Sequence, residues 1–268
     1  MHIHFLDPYE PGNSPIHALD ARVKFVLTVT FILTTSLAPA GAWPVYILLF
    51  AISISVIVLS NLGVGTVLKR AAVAIPFALA ALPVLFTVKG ESLFMAQLGF
   101  VTLTASIEGA ERFFSILLKS YISLQMAITL ASSTPFPQLL MAMRAVKIPR
   151  LLVAIFGLMW RYLFVLADEA TRLLRARAAR SGAVPQAGLK TGGSIVWRGK
   201  VAGGMAGNLF LRALDRSDRI YAAMAARGYD GEVRGFALPR VPVMHQVVLI
   251  AGLIVLAALF GLSRLLGA

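Results

Sequence analysis

The chain has 268 residues, of which 58% are hydrophobic and 14% charged, with a mean hydropathy of +0.81. Soluble domains carry about 25% charged residues, so the composition excludes an ordinary soluble domain and points to a membrane protein. There is no cysteine, hence no disulfide, thiolate metal site or cysteine nucleophile, and the formal charge is +13.

The opening stretch, "MHIHFLDPYEPGNSP", is polar and lacks a cationic-then-apolar leader, so insertion without cleavage is expected. His2, His4 and His17 lie here with Asp7, Glu10 and Asp20. One reading is a transient cobalt or nickel site. The other is a solvated tail in which His17 helps to fix the chain at the first span. The histidines do not follow a helical HxxxH spacing, which favours the tail.

No charged residue occurs from Phe25 to Leu68, a run of 44 that exceeds one span of about 20. "LAPAGAWP" at 37–44 divides it, with Pro39, Gly41 and Pro44 as breakers. Spans are expected at about 23–38 and 44–62. Lys69 and Arg70 follow, then a third span over about 71–88 in which Pro76 and Pro83 predict kinks. Residues 92–107 are apolar but short, and read as a re-entrant or interfacial piece. A fourth span is expected over about 107–132. Glu108, Glu111 and Arg112 stand near its outer end, and Lys119 lies inside it, turned toward protein or snorkelling. The last span is expected over about 243–262.

Residues 133–240 carry 17 lysines and arginines against 6 acidic residues, a net +11, whereas the other 160 residues carry +2. Nucleic acid is one partner for such a block. In a membrane chain the positive-inside rule accounts for it better and also places Lys69 and Arg70 in the cytoplasm. The expected organisation is an all-α polytopic protein with about five transmembrane helices. Membrane helices occupy residues 1–132, a cytoplasmic insert 133–240 and a closing membrane helix 241–268. The N-terminus and the insert face the cytoplasm.

Within the insert, Thr134-Pro135 marks a first helix start and Pro149 a second. The second is a 31-residue stretch without proline, apolar then charged, with Asp168 and Arg172 at i,i+4. Gly182, Pro185, Gly188 and "TGGS" read as a loop. A third helix is expected from roughly 202 to 227, with Asp215 and Arg219 at i,i+4. Such amphipathic helices suit a membrane face or a protein surface. The second and third helices both end on Ala-Ala-Arg followed by a small residue, at Ala179-Arg180-Ser181 and Ala226-Arg227-Gly228. An alanine-rich end with glycine after it is how many helices stop. The same end projects an arginine fork suited to a carboxylate and admits a close partner. The two readings are compatible.

Other candidates have plainer accounts. No GxxxxGK[ST] loop is present, and "WRGK" at 197–200 is too short to count. Met126, Met141, Met143, Met159, Met205 and Met224 do not cluster, so packing explains them better than metal transfer.

"SPIHALDARVK" at 14–24, "TPFPQLLMAMRAVKIP" at 134–149, "GLMWRYLFVLADEATRLLRARAARSG" at 157–182 and "LFLRALDRSDRIYAAMAARGYDG" at 209–231 together resemble the transmembrane T component of energy-coupling factor transporters, in particular its CbiQ-like cobalt branch. The resemblance covers nearly the whole chain, with Ala21 where proline is common. It implies a scaffold, not an enzyme, in the inner membrane of a prokaryote. Two ATPase subunits, which bind the ATP and magnesium, would receive the coupling helices in surface grooves. A separate CbiM-like substrate-binding membrane subunit, with or without a small accessory membrane subunit, would receive the movement. Nucleic acid is not an implied partner, and this chain holds no cofactor or metal of its own. The resemblance assigns the ATPase contact to Ala179, Arg180, Ser181, Ala226, Arg227 and Gly228. Readings left open are a scaffold for a vitamin-binding subunit, a membrane enzyme whose basic face takes anionic substrates, and a secondary carrier. The carrier is disfavoured by the absence of a visible inverted repeat.

Overall fold

The computed structural model describes residues 8–88, 92–98, 101–180, 194–229 and 240–266. The regular structure of the described residues is helical apart from one strand pair. Its elements are α1 (Pro15–Ala18), α2 (Ala21–Leu37), α3 (Trp43–Leu59), α4 (Val64–Ala71), α5 (Ala74–Ala78), a 3-10 turn (Leu79–Ala81), α6 (Val84–Thr87), β1 (Ser92–Leu98), β2 (Val101–Ser106), α7 (Ile107–Ser133), α8 (Phe136–Ala145), α9 (Arg150–Arg180), α10 (Ile195–Ala226) and α11 (Val243–Leu266).

Four of the expected spans each centre on one helix (α2, α3, α7 and α11), and the third is a broken run of short helical pieces. The runs Val64–Thr87, Ile107–Ser133, Arg150–Arg180 and Val243–Leu266 are long and apolar enough to cross a membrane by length and composition. The 17-residue α2 and α3 reach about 25 Å, near the lower limit for a span. The third span begins earlier than expected, at Val64. Lys69 and Arg70 therefore occupy the last turn of α4 rather than a loop. Pro76 and Pro83 interrupt it as expected, leaving α5, the 3-10 turn and α6 as short pieces. A proline removes a backbone donor and clashes with the preceding turn, so the helix cannot run through.

The short apolar piece expected over 92–107 is a strand pair among the described residues. Residues 92–98 and 101–106 pair antiparallel, from Ser92↔Ser106 to Leu98↔Val101, with one irregularity between Ser92 and Phe94. Alternating, β-branched "VTLTAS" favours this pairing. A two-stranded ribbon has unpaired edges, so it belongs outside the hydrocarbon layer. Ser106 then N-caps α7 by accepting from Gly109 N at 3.0 Å, while its hydroxyl donates to the Val88 carbonyl at 2.6 Å. A side chain at Gly109 would meet the Leu85 carbonyl oxygen at 2.7 Å, so glycine permits the close approach of α6 and α7.

Packing divides the chain into two units. One comprises Pro8–Val146 with Leu238–Ala268, the other Lys147–Ala237. In the first unit, Phe31, Tyr46, Leu49, Ile122, Met126, Leu256 and Leu259 join α2, α3, α7 and α11 in one core. A second cluster of Ile57, Leu62 and Val67 ties α3 to α4. Helix α8 packs on α2 and so shares this unit. Buried polar groups find partners across helices. Lys24, only 5% exposed, donates to the Ser133 carbonyl at 3.1 Å. Ser53 donates to Gln125 Oε1 at 2.7 Å. Lys119 turns into the protein and donates to the carbonyl of Ala38, the C-cap of α2, where the helix dipole favours a cation.

At the N-terminus, His17 is a structural fastener. Its Nδ1 is 2.7 Å from Ser14 Oγ and its Nε2 3.0 Å from the Glu10 carbonyl. Glu10 N donates to Ser132 O at 2.9 Å, and its carboxylate meets Arg70 at 3.0 Å. Groups of three or more metal-ligating side chains do not occur among the described residues. His2, His4 and Asp7 lie outside them.

Candidate functional site: two arginine-tipped helices

The second unit is built on α9 and α10, which pack on one another. Helix α9 runs unbroken for 31 residues and ends at Arg180. It has no internal proline and has alanines at 176, 178 and 179, so nothing in its sequence stops it sooner. Its length and apolar window satisfy the criterion for a span, although the sequence reading places it in the cytoplasmic insert. The apolar part lies in the first half, where Leu151, Leu152, Ile155 and Met159 are exposed. The charged residues Asp168, Glu169, Arg172, Arg175, Arg177 and Arg180 occupy the second half.

Helix α10 spans 32 residues from Ile195, seven residues before the expected start. Ser194 accepts from Trp197 N at 3.2 Å and caps it, so "WRGK" at 197–200 is helical and not part of a loop. Gly199, close behind the "TGGS" read as a loop, lowers the local helix propensity and hid this start, whereas Gly203, Gly204 and Gly207 lie within the helix as expected. The half-buried row Val201, Met205, Leu209, Ala213, Arg216, Ile220, Met224 carries through them at helical spacing.

The end of α10 is a full Schellman cap. Tyr229 N donates to the Met224 carbonyl at 3.0 Å and Gly228 N to that of Ala225 at 2.9 Å. Gly228 takes φ +75°, the left-handed conformation that favours glycine. This fulfils the expectation for the cap and leaves Arg227 as the C-cap residue, exposed at the tip. Ala226 is exposed beside it. At the other tip, Ala179 and Arg180 are exposed in the last turn of α9, whereas Ser181 and Gly182 lie outside the described residues. Among the described residues, neither the Arg180 nor the Arg227 guanidinium enters a hydrogen bond or ion pair. Two uncommitted forks at helix C-termini, each beside an alanine, can accept a carboxylate from outside the chain.

A feature not anticipated from the sequence stands behind them. Asp168 and Asp215 do not close ion pairs with Arg172 and Arg219. Instead, Glu169 of α9 takes Arg212 on one oxygen and Arg216 on the other, each at 3.1 Å. Arg212 and Arg216 are one turn apart on α10. Glu169 is 17% exposed, against 59% and 32% for its partners. The signal was present in the sequence. Glu169 interrupts the row Leu158, Tyr162, Leu166, Leu173, and Arg216 interrupts the corresponding row of α10. A charge at an apolar register position calls for a partner across the interface. The pair borders a groove of about 450 Å³ whose lining includes Val165, Arg172, Ala176 and Arg180.

Comparison with known proteins agrees with this architecture. The family model described as CbiQ, cobalt transport protein, matches residues 12–236. The cobalt transport protein CbiQ of Rhodobacter capsulatus is 28% identical over 59% of this chain and 61% of its own length. The energy-coupling factor transporter transmembrane protein EcfT of Lacticaseibacillus paracasei is 27% identical over 84% of this chain and 85% of its own. The EcfT of Bacillus subtilis is 28% identical over 96% of both. The matched region runs through α10, taking in both arginine-tipped helices, and stops short of α11. This chain accordingly belongs to the CbiQ family of cobalt transport proteins, as a multi-pass transmembrane component of the energy-coupling factor type rather than an enzyme.

Proposed function

We propose that this chain is the membrane scaffold of an ATP-driven importer, seating two cytoplasmic ATPase subunits on the tips of α9 and α10 and passing their movement to a separate substrate-binding membrane subunit of CbiM-like type. The observation that carries the reading is the pair of exposed guanidinium groups at Arg180 and Arg227, neither of which has a partner among the described residues. Each would meet acidic groups in an ATPase groove, while Ala179, Ser181, Ala226 and Gly228 keep the approach close. ATP and magnesium belong to the partners. The N-terminus and the insert face the cytoplasm of a prokaryote, in keeping with the net +11 of residues 133–240. The apolar half of α9 lies along the inner membrane face, where a half-apolar, half-basic helix is most stable.

Cobalt is the cargo favoured by the description of the family, and nickel is the kindred ion the reading also admits. A scaffold serving a vitamin-binding subunit is the second reading. The match to the Bacillus subtilis EcfT, whose name carries no cobalt, covers more of this chain than that to the Rhodobacter capsulatus CbiQ and leaves this reading room. Radiolabelled cobalt uptake by cells expressing the chain with its neighbouring ATPase and membrane genes decides between them. The docking itself is tested with Arg180→Ala and Arg227→Ala, singly and together. An interfacial charge stripped of its partner costs about 2–5 kcal/mol. The double variant should lose both uptake and ATPase co-purification while inserting normally. Normal uptake with the ATPases still bound would refute the proposal.

A further inference from the structure

Glu169 stands away from both tips and contacts neither. It is the most enclosed member of a three-residue cluster, and each of its oxygens holds a different arginine one turn apart on α10. Its distance from the tips is the same on both helices. Eleven residues separate Glu169 from Arg180 along α9, and eleven separate Arg216 from Arg227 along α10. At 1.5 Å per residue each tip projects about 16 Å beyond the cluster.

We infer that Glu169 is a positioning residue that pins α9 to α10 through Arg212 and Arg216 and so sets the spacing at which Arg180 and Arg227 are presented together. The inference rests on the docking reading above and deepens it. A scaffold that engages two sites at once gains from the second only when its span matches the separation of those sites, because the second contact is then intramolecular. Two single-turn tips on hinging helices would present a range of separations. A carboxylate gripping two arginines, i and i+4, resists both sliding and rotation of one helix on the other, since either motion lengthens at least one of the two contacts. Arg212 and Arg216 are committed here, so they are not free to act as further docking forks. An i,i+4 pairing within a single helix could not do this, because it would not bridge the two helices.

The cysteine-free sequence makes the test direct. Arg175→Cys and Ala223→Cys, each about one turn behind a tip, would be the only thiols available for spin labels. Pulsed distance measurements on the full-length chain in nanodiscs should give one narrow distribution. Glu169→Gln, which keeps the shape and removes the charge, should broaden it and weaken association with the ATPase pair at least tenfold. Glu169→Arg combined with Arg212→Glu and Arg216→Glu should restore a narrow distribution and recover part of the association. An unchanged distribution in Glu169→Gln, or a loss that the charge-swapped chain does not relieve, overturns the inference. Arg180→Ala with Arg227→Ala should abolish association and leave the distance untouched. Association that survives that pair refutes the docking reading, while the distances still decide whether Glu169 pins the helices.

Discussion

Lys24 shows how a charge is accommodated inside the membrane unit. It enters α2 one turn after the Asp20 cap, is nearly enclosed, and spends its ammonium on the Ser133 carbonyl at the end of α7. Substituting Lys24→Met keeps most of the volume but leaves that buried acceptor without its donor, at about 1–3 kcal/mol. The thermal midpoint of the purified chain in detergent should fall accordingly. Glycines make sharper statements. A side chain at Gly252 would meet Leu27 Cδ2 at 2.6 Å, so Gly252→Val should push α11 from α2 and cost about 1–3 kcal/mol by the same measurement. Gly228 has open space around it and is constrained by its backbone instead. Gly228→Ala should cost about 1–2 kcal/mol locally, read as faster amide exchange over 224–229 with the rest of the chain unchanged. The cap at Gly228 was legible from the sequence because its cause is local. The Lys24 contact was not, since its partner lies 109 residues away.

Among the elements, α10 carries the clearest expectation. A side chain at Gly199, Gly203, Gly204 or Gly207 would meet nothing within 4 Å, and glycine in a helix interior is about 0.8–1.0 kcal/mol less favourable than alanine. The fourfold alanine variant should show higher helicity by circular dichroism and a higher unfolding temperature of the insert. Of these glycines, only Gly199, together with the "TGGS" before it, explains why the helix was expected to start at about 202. Propensity argued against the first two turns, while the stripe at Val201 and Met205 continued through them. The hairpin at 92–106 was missed for a related reason. A short apolar run has no helical period to reject, and its pairing depends on a second strand. Prolines were the most dependable markers. Pro76, Pro83 and Pro135 each fall at a break or a start of a helix.

For the molecule as a whole, the proposed orientation and the proposed docking both rest on charge. A single cysteine introduced as Ala223→Cys should react with a membrane-impermeant maleimide in inside-out vesicles and not in right-side-out ones. The opposite pattern would place the insert on the wrong side of the membrane. Docking through exposed guanidinium groups should also weaken with salt. Recovery of the ATPase pair on the immobilised chain should fall as ionic strength approaches about 1 M, where the screening length is only about 3 Å. A recovery indifferent to salt would point to an apolar contact instead.

Composition, charge asymmetry and helical period by themselves determined the membrane class, the five apolar segments, the basic insert and the two arginine ends. These properties are local or summed along the chain, so they survive without knowledge of what packs on what. Only the tertiary structure decided that α8 packs with the membrane helices, that Lys119 caps α2 and that Glu169 holds Arg212 and Arg216 in place of the i,i+4 pairs. Each of those outcomes depends on the register between helices far apart in sequence. A shift of one residue turns a helical side chain by about 100°, so the identity of its partner is fixed only when both helices are in place.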